Sequence, residues 1–216
     1  MLACRSDLKI NAITTVFGNS IVENSTRNAL AILDLVGKRI PVYEGMDKPI
    51  SGQAVNAKSH GDNGLGGFEK TTMLKKENKS ANDCLSEMLA KSKNKSVSII
   101  CIGPSSNICY LLKIKPKLQK KLKEIIILGG VFTEKGNITP FAEFNVFNDS
   151  LSLMYLLKSE CKKVIIPINM CRKVTFSIRD FNKLDDKTLT DGLKQITDLY
   201  IKYYKNNSDF GGLPVE

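Results

Sequence analysis

Apolar runs of strand length alternate with helix-patterned stretches along this chain, and that alternation constrains the fold more than any other feature. The strand-like runs are LKINAITTVFG, RIPVYEG, SVSIICIG, EIIILGG and KKVIIPIN. Between them lie stretches with apolar residues at helical spacing, among them NSTRNALAILDLVGK and LSLMYLLKS. Strands that are almost entirely apolar are typical of parallel sheets covered on both faces. We therefore predict an α/β fold with a mainly parallel central sheet and helices on both faces.

Capping residues predict where several helices begin. The first helix is expected to begin at a cap of Asn24 or Ser25 and to end at Gly37. Ser80, with Asp83 three residues later, predicts a second helix. Three further helices are predicted over residues 105–112, after the cap Asp149, and over residues 189–203.

Glycines and amide side chains follow the predicted strands. In parallel sheets ligands bind beyond the carboxyl ends of the strands, so these residues are expected to meet at one edge. They are Gly18 and Asn19, Gly103 to Ser105, Gly129 and Gly130 with Asn137, Glu143 and Asn145 beyond them, and Asn169. Several neutral amides with one carboxylate suit hydroxyl groups, such as those of a sugar, because a hydroxyl both donates and accepts. A phosphate site is not predicted, because neither GxxxxGK[ST] nor GxGxxG occurs, and NGLGG reads as a flexible loop.

Length and composition indicate a globular protein. The 216 residues, 42% hydrophobic and 25% charged, are enough for a sizeable core, and without repeats or linkers we expect one domain over residues 1–216. No apolar run approaches the roughly 20 residues of a membrane span, and the N-terminus lacks a secretory pattern. A cytoplasmic protein that binds no membrane is expected. The six cysteines form no CxxC pair and are expected to be small buried apolar residues.

The net charge of +10 raises the alternative of nucleic-acid binding. However, 27 of the 32 basic residues are Lys, and the densest basic run, KIKPKLQKKLK, contains neither Arg nor an aromatic residue. Base recognition favours Arg forks and stacking aromatics. We interpret the Lys residues as solvated surface and expect no nucleic-acid partner.

His60, the single histidine, lies just before the NGLGG loop. A lone histidine is often structural or solvated, but this polar, glycine-rich setting also allows a functional role. A histidine with a pKa near neutrality could donate a proton to a leaving group.

Six segments together resemble the inosine-uridine preferring nucleoside hydrolases in order and spacing. They are ITTVFGN, PVYEGMDKP, HGDNGLGG, IGPSSNI, IIILGG and, most specifically, GNITPFAEFN. The resemblance implies that ribonucleosides are hydrolysed at the N-glycosidic bond to a free base and ribose, with one calcium ion (Ca2+) activating the water. It also implies a small-molecule ribonucleoside as partner and an oligomer of identical chains.

Site residues carry over by matching position. The resemblance implies that the ribose hydroxyls are held by Asn19, Asn137, Glu143 and Asn145. It also implies that the main-chain carbonyl of Ile102 is a calcium ligand and that His60 contacts the base or protonates the leaving group. The packing side of GNITPFAEFN is expected to consist of Ile138, Phe141 and Phe144.

Two family elements have no counterpart in this sequence. The family's calcium carboxylates come mainly from an Asp-x-Asp-x-x-x-Asp-Asp turn, and MLACRSDLKINAITT aligns with the helix and strand that come after that turn. Where the family has a C-terminal His-Asp pair, this chain has GGLPVE and ends at Glu216. We therefore expect a nucleoside hydrolase domain truncated at both ends, without its first strand and most calcium ligands. Because calcium takes about six to eight oxygen ligands, little hydrolase activity is expected from this polypeptide alone. The alternatives are a non-catalytic protein that binds ribose or nucleosides and the remnant of a decaying gene.

Overall fold

The structure, a computed structural model, describes residues 7–207 and 213–214. Its strands are β1 (Ile13–Thr14), β2 (Val42–Tyr43), β3 (Val97–Cys101), β4 (Leu122–Leu128), β5 (Lys163–Ile166), β6 (Thr175–Phe176) and β7 (Leu213–Pro214). Its helices are α1 (Val22–Leu35), α2 (Ala81–Lys91), α3 (Ser106–Ile114), α4 (Phe144–Asn148), α5 (Ser150–Lys158), α6 (Ile168–Cys171), α7 (Ile178–Phe181) and α8 (Lys187–Asn207). Two 3-10 turns cover Lys58–His60 and Pro116–Lys121.

The strands form two parallel pieces and one antiparallel pair. β1 pairs with β2, and β3, β4 and β5 form a sheet in that order, all in parallel. β6 pairs with β7 in antiparallel fashion. The predicted α/β fold with a mainly parallel sheet is confirmed. The first two strands, of two residues each, are much shorter than predicted.

Helix α1 begins earlier than predicted. Its N-cap is Ile21, so the predicted cap at Asn24 or Ser25 is wrong. Asn24 lies within the first turn, and its Nδ2 donates to Ser20 Oγ (2.8 Å) and to the Asp62 carbonyl (3.1 Å). The Asn24 side chain therefore holds the loop that contains Asp62 against α1 and does not cap the helix. The predicted end is confirmed, since Gly37 follows the C-cap at a φ of 65°, a conformation that favours glycine.

The other predicted helix starts agree with the structure. Ser80 is the N-cap of α2 and accepts the Asp83 backbone N–H at 3.1 Å. Asp149 is the N-cap of α5 and accepts the Ser152 N–H at 3.1 Å. Helix α8 encloses the predicted residues 189–203, and α3 begins one residue after its predicted start.

The main core lies between the sheet of β3 to β5 and the helices α2, α3 and α5. Its buried members include Leu89, Ile108, Leu112, Ile125, Ile127 and Leu156. Four cysteines are buried as predicted, namely Cys84, Cys109, Cys161 and Cys171, whereas Cys101 is partly exposed and Cys4 lies outside the described residues. Over residues 7–207 and 213–214, no helix has both the length and the apolarity that crossing a membrane requires.

Candidate functional site

Residues that follow β1, β3 and β4 surround one cavity of about 440 Å³ at the carboxyl end of the parallel strands, whereas the predicted segment from Gly103 to Ser105 is not part of its lining. Its lining includes each site residue predicted above, namely Asn19, His60, Ile102, Asn137, Glu143 and Asn145. Asn169, also predicted at this edge, is not part of the lining. Its Oδ1 accepts the Phe132 N–H (3.0 Å) and its Nδ2 donates to Thr133 Oγ1 (2.9 Å), so it holds the segment after β4 in place.

The segment GNITPFAEFN folds as a tight loop that leads into α4. The backbone N–H groups of Gly136 and Asn137 donate to the carbonyls of Pro140 and Ala142, both at 3.2 Å. A Cβ at Gly136 would lie 2.0 Å from the Ala142 carbonyl oxygen, so only glycine fits at this position. Asn137 Oδ1 accepts the Phe144 N–H at 2.8 Å, which ties the start of the loop to its end.

Phe141 is 90% exposed, so its predicted place on the packing side of this loop is wrong. The chain reverses at 139–142, where Thr139 and Ala142 form an isolated bridge, and this turn directs Phe141 outward. Phe144 is buried at 9% exposure and packs as predicted, although it begins α4 and does not lie in the turn itself. Ile138 lines the cavity.

Glu143 is the carboxylate at the centre of this side of the cavity. The residue is buried, and its side chain caps α4 by accepting the backbone N–H groups of Asn145 (2.8 Å) and Val146 (3.0 Å). The Gly130 N–H, just after β4, donates to the same carboxylate at 2.9 Å. Glu143 therefore joins the exit of β4 to the start of α4.

Asn145 reaches across two strand ends. Its Nδ2 donates to the carbonyl of Leu128 at 3.1 Å and, more weakly, to that of Ile102 at 3.5 Å. Leu128 ends β4, and Ile102 follows β3. Asn145 therefore holds the two strand ends together, while its Oδ1 has no hydrogen-bond partner within the described residues.

Asn19 and His60 form a pair on the opposite side of the cavity. Asn19 Nδ2 lies 3.2 Å from His60 Nε2, and Ser59 Oγ lies 2.9 Å from His60 Nδ1. Because an amide nitrogen only donates, Nε2 accepts and Nδ1 carries the proton. Burial lowers the pKa of His60 to about 4, so the ring is neutral at pH 7.

An aromatic cluster that was not predicted from the sequence lies beside His60. Tyr203 and Tyr204 of α8 line the cavity, and the rings of Tyr200 and Tyr204 lie 4.5 Å apart. The His60 ring lies 5.1 Å from that of Tyr200. Such a surface can stack against a flat ring. The spacing of the tyrosines in YIKYY is a signal in the sequence, but the same spacing is typical of the buried face of any helix.

The oxygen donors of the described residues do not fit a calcium site. No three His, Cys, Asp or Glu side chains among residues 7–207 and 213–214 lie close enough to hold a metal ion. The Ile102 carbonyl borders the cavity, but the Glu143 carboxylate beside it already accepts three backbone N–H bonds. Calcium takes about six to eight oxygen ligands, and this set falls short of that number.

Comparison with known proteins identifies the family. The family model described as inosine-uridine preferring nucleoside hydrolase matches residues 1–216. The chain is 32% identical to uridine nucleosidase 1 of Arabidopsis thaliana over 206 residues, which are 91% of this chain and 61% of the relative. It is 30% identical to the pyrimidine-specific ribonucleoside hydrolase RihA of Escherichia coli O1:K1 / APEC over 219 residues, covering 97% of this chain and 68% of the relative.

Solved structures agree with these relatives. A plant nucleoside hydrolase, the PpNRh1 enzyme, superposes with a TM-score of 0.89 at 27% identity and covers 97% of this chain and 68% of its own. A purine-preferring ribonucleoside hydrolase from Gardnerella vaginalis gives a TM-score of 0.85 at 29% identity, with 96% and 69% covered. The chain spans 54–61% of the uridine nucleosidases that it matches.

Proposed function

The chain belongs to the inosine-uridine preferring nucleoside hydrolase family, and from that membership we propose that it acts in the hydrolysis of ribonucleosides at the N-glycosidic bond. The observation that carries the proposal is the cavity itself. Four amide side chains and one carboxylate lie around it together with a neutral histidine and two tyrosines. Hydroxyl-binding groups and an aromatic wall in one cavity match the two parts of a nucleoside, its sugar and its base.

Ribose binds on the side formed by Asn137, Glu143 and Asn145. A carboxylate accepts about four hydrogen bonds, so Glu143 retains room for one hydroxyl donor beyond its three backbone bonds. Within the described residues, Asn137 Nδ2 and Asn145 Oδ1 have no partner and supply one donor group and one acceptor. Cleavage of the glycosidic bond places positive charge on the sugar ring, and the negative charge of Glu143 stabilises it.

The base binds between His60 and the tyrosines of α8. Because His60 is neutral at pH 7, we assign it to contact with the base and not to protonation of the leaving group. Its Nε2 can accept from a base N–H once the Asn19 amide moves aside, and Tyr203 and Tyr204 offer rings for stacking.

Calcium belongs to this proposal only through the family resemblance. The donors described above do not fit the ion, and no step of the proposed chemistry depends on it here. That shortfall favours a second candidate function, a protein that binds ribonucleosides without hydrolysing them.

Titration of inosine and uridine into the 216-residue chain, followed by an assay for released ribose, separates the two functions. Binding with turnover supports the hydrolase, and binding without turnover supports the nucleoside-binding protein. Glu143→Ala is expected to abolish binding, whereas Glu160→Ala, an exposed glutamate that does not line the cavity, is expected to leave it unchanged. If the unmodified chain is folded and binds neither nucleoside, both functions are rejected.

A further inference from the structure

The candidate site is built from two sheet pieces that share no strand pairing in the described residues. Asn19 follows β1 of the first piece, and its hydrogen bond to His60 places His60 on the same side. Ile102 follows β3 of the second piece, and Asn145 of α4 bonds the ends of β3 and β4. The width of the cavity therefore depends on what holds the β1 side against the β3 side.

Asn107, in the first turn of α3, links these two sides. Asn107 is buried, with only 6% of its surface exposed. Its Nδ2 donates to the carbonyl of Thr15 at 2.8 Å, and its Oδ1 accepts the Met46 N–H at 2.9 Å. Thr15 directly follows β1, and Met46 lies three residues after β2. One amide from the β3 side therefore bonds the exits of both strands of the other piece.

Because Gly45 has no side chain, the Asn107 amide can pack directly against its backbone. A Cβ at position 45 would lie 2.2 Å from the Thr15 carbonyl oxygen and 2.4 Å from Asn107 Nδ2. Atoms cannot approach so closely, so any side chain at position 45 would push the amide and the Thr15 carbonyl apart. Asn107 and Gly45 thus form one close-packed joint.

We propose that Asn107 is a positioning residue that sets the distance between the Asn19 and His60 side of the cavity and the Glu143 and Asn145 side. The proposal rests on the proposed function where it concerns nucleoside binding. Only an amide fills this role, because the joint needs a donor toward Thr15 and an acceptor toward Met46 from one short side chain. An aspartate keeps the acceptor but turns a second oxygen toward the Thr15 carbonyl, where two acceptors repel.

The test compares Asn107→Asp and Gly45→Ala with Ser152→Ala. Ser152 is fully buried and bonds Asp149, so its loss destabilises the fold without removing a hydrogen bond of Asn107 or Gly45. We expect the two joint variants to bind inosine about tenfold more weakly, because each disrupts a buried hydrogen bond of the Asn107 amide. Ser152→Ala is expected to bind inosine as the unmodified chain does. The loss of inosine affinity in Asn107→Asp should become smaller as the pH falls from 7 to 5, because a protonated carboxyl can again donate to the Thr15 carbonyl.

Amide hydrogen exchange gives a second readout that does not need a ligand. In Asn107→Asp and Gly45→Ala, exchange should accelerate over residues 13–20 and 42–46 but not in β3, β4 and β5. Unchanged exchange in those segments, or acceleration across the whole chain, would overturn the positioning role. If the unmodified chain binds neither inosine nor uridine, the proposed function fails, and the exchange experiment still decides the role of Asn107.

Discussion

Asn19 donates from Nδ2 to His60 Nε2 across 3.2 Å, although 41 residues separate them in the sequence. The contact joins the exit of β1 to the 3-10 turn at Lys58–His60. It also selects the histidine tautomer with its proton on Nδ1, which points toward Ser59 Oγ. The acceptor nitrogen of His60, Nε2, therefore already accepts a hydrogen bond from the Asn19 amide.

Asn19→Asp is expected to raise the pKa of His60 from its value of about 4 by at least about one unit. The reason is that a carboxylate next to the ring stabilises the protonated imidazolium. The pKa is measured by NMR titration of the single histidine. Asn182→Asp, at an exposed position that does not line the cavity, serves as control and should leave the pKa unchanged. Equal pKa values in both variants would contradict the Asn19 contact.

Acid should destabilise the fold through His60. The pKa of this residue is about 4 when folded and about 6.5 when unfolded, so the unfolded chain takes up the proton first as pH falls. This contribution to stability is intact above about pH 6.5 and is lost progressively down to about pH 4, with an upper limit of about 3 kcal/mol. Urea unfolding at several pH values measures the free energy of unfolding. As the pH falls, this free energy should decline less in His60→Gln than in the unmodified chain, because glutamine does not titrate. Parallel declines in the two proteins would argue against a buried neutral His60.

Glu143→Gln should destabilise the protein by about 1–3 kcal/mol, because the new amide group must face a backbone N–H that now donates to the carboxylate. The free energy of unfolding is measured with urea. The matched control is Glu160→Gln at an exposed position, where a change below about 0.5 kcal/mol is expected. Equal stability of the two variants would show that Glu143 does not cap α4.

Phe141 and Phe144 give a direct test of the loop structure. Truncation of the buried Phe144 to Ala should cost about 3 kcal/mol or more, whereas Phe141→Ala should change stability by less than about 0.5 kcal/mol. Thermal unfolding of both variants measures the difference. A large loss in Phe141→Ala would mean that its ring is covered in solution.

Calcium should bind this chain weakly, with a dissociation constant above about 1 mM, because the described donors at the cavity number fewer than the ion takes. Isothermal titration with calcium chloride measures the affinity. Magnesium chloride at equal ionic strength controls for general charge effects. Micromolar affinity would contradict this expectation and restore the metal to the proposed chemistry.

Local sequence patterns predicted much of the fold. The apolar runs of β3, β4 and β5, the caps Ser80 and Asp149 and the end of α1 at Gly37 each depend on nearby residues, so the sequence alone was enough to predict them. The start of α1 was not predicted correctly, because Asn24 is drawn away from capping by Asp62, a contact between segments distant in sequence.

The sequence by itself determined the family, the mainly parallel sheet and several of the polar residues around the cavity. It could do so because periodicity, caps and the GNITPFAEFN motif are properties of neighbouring residues. Only the tertiary structure decided how those residues are used. Burial makes His60 neutral, three backbone N–H groups occupy Glu143, and Tyr203 and Tyr204 complete the cavity. Desolvation and hydrogen bonding between distant segments exist only once the chain has folded, so no local pattern encodes them.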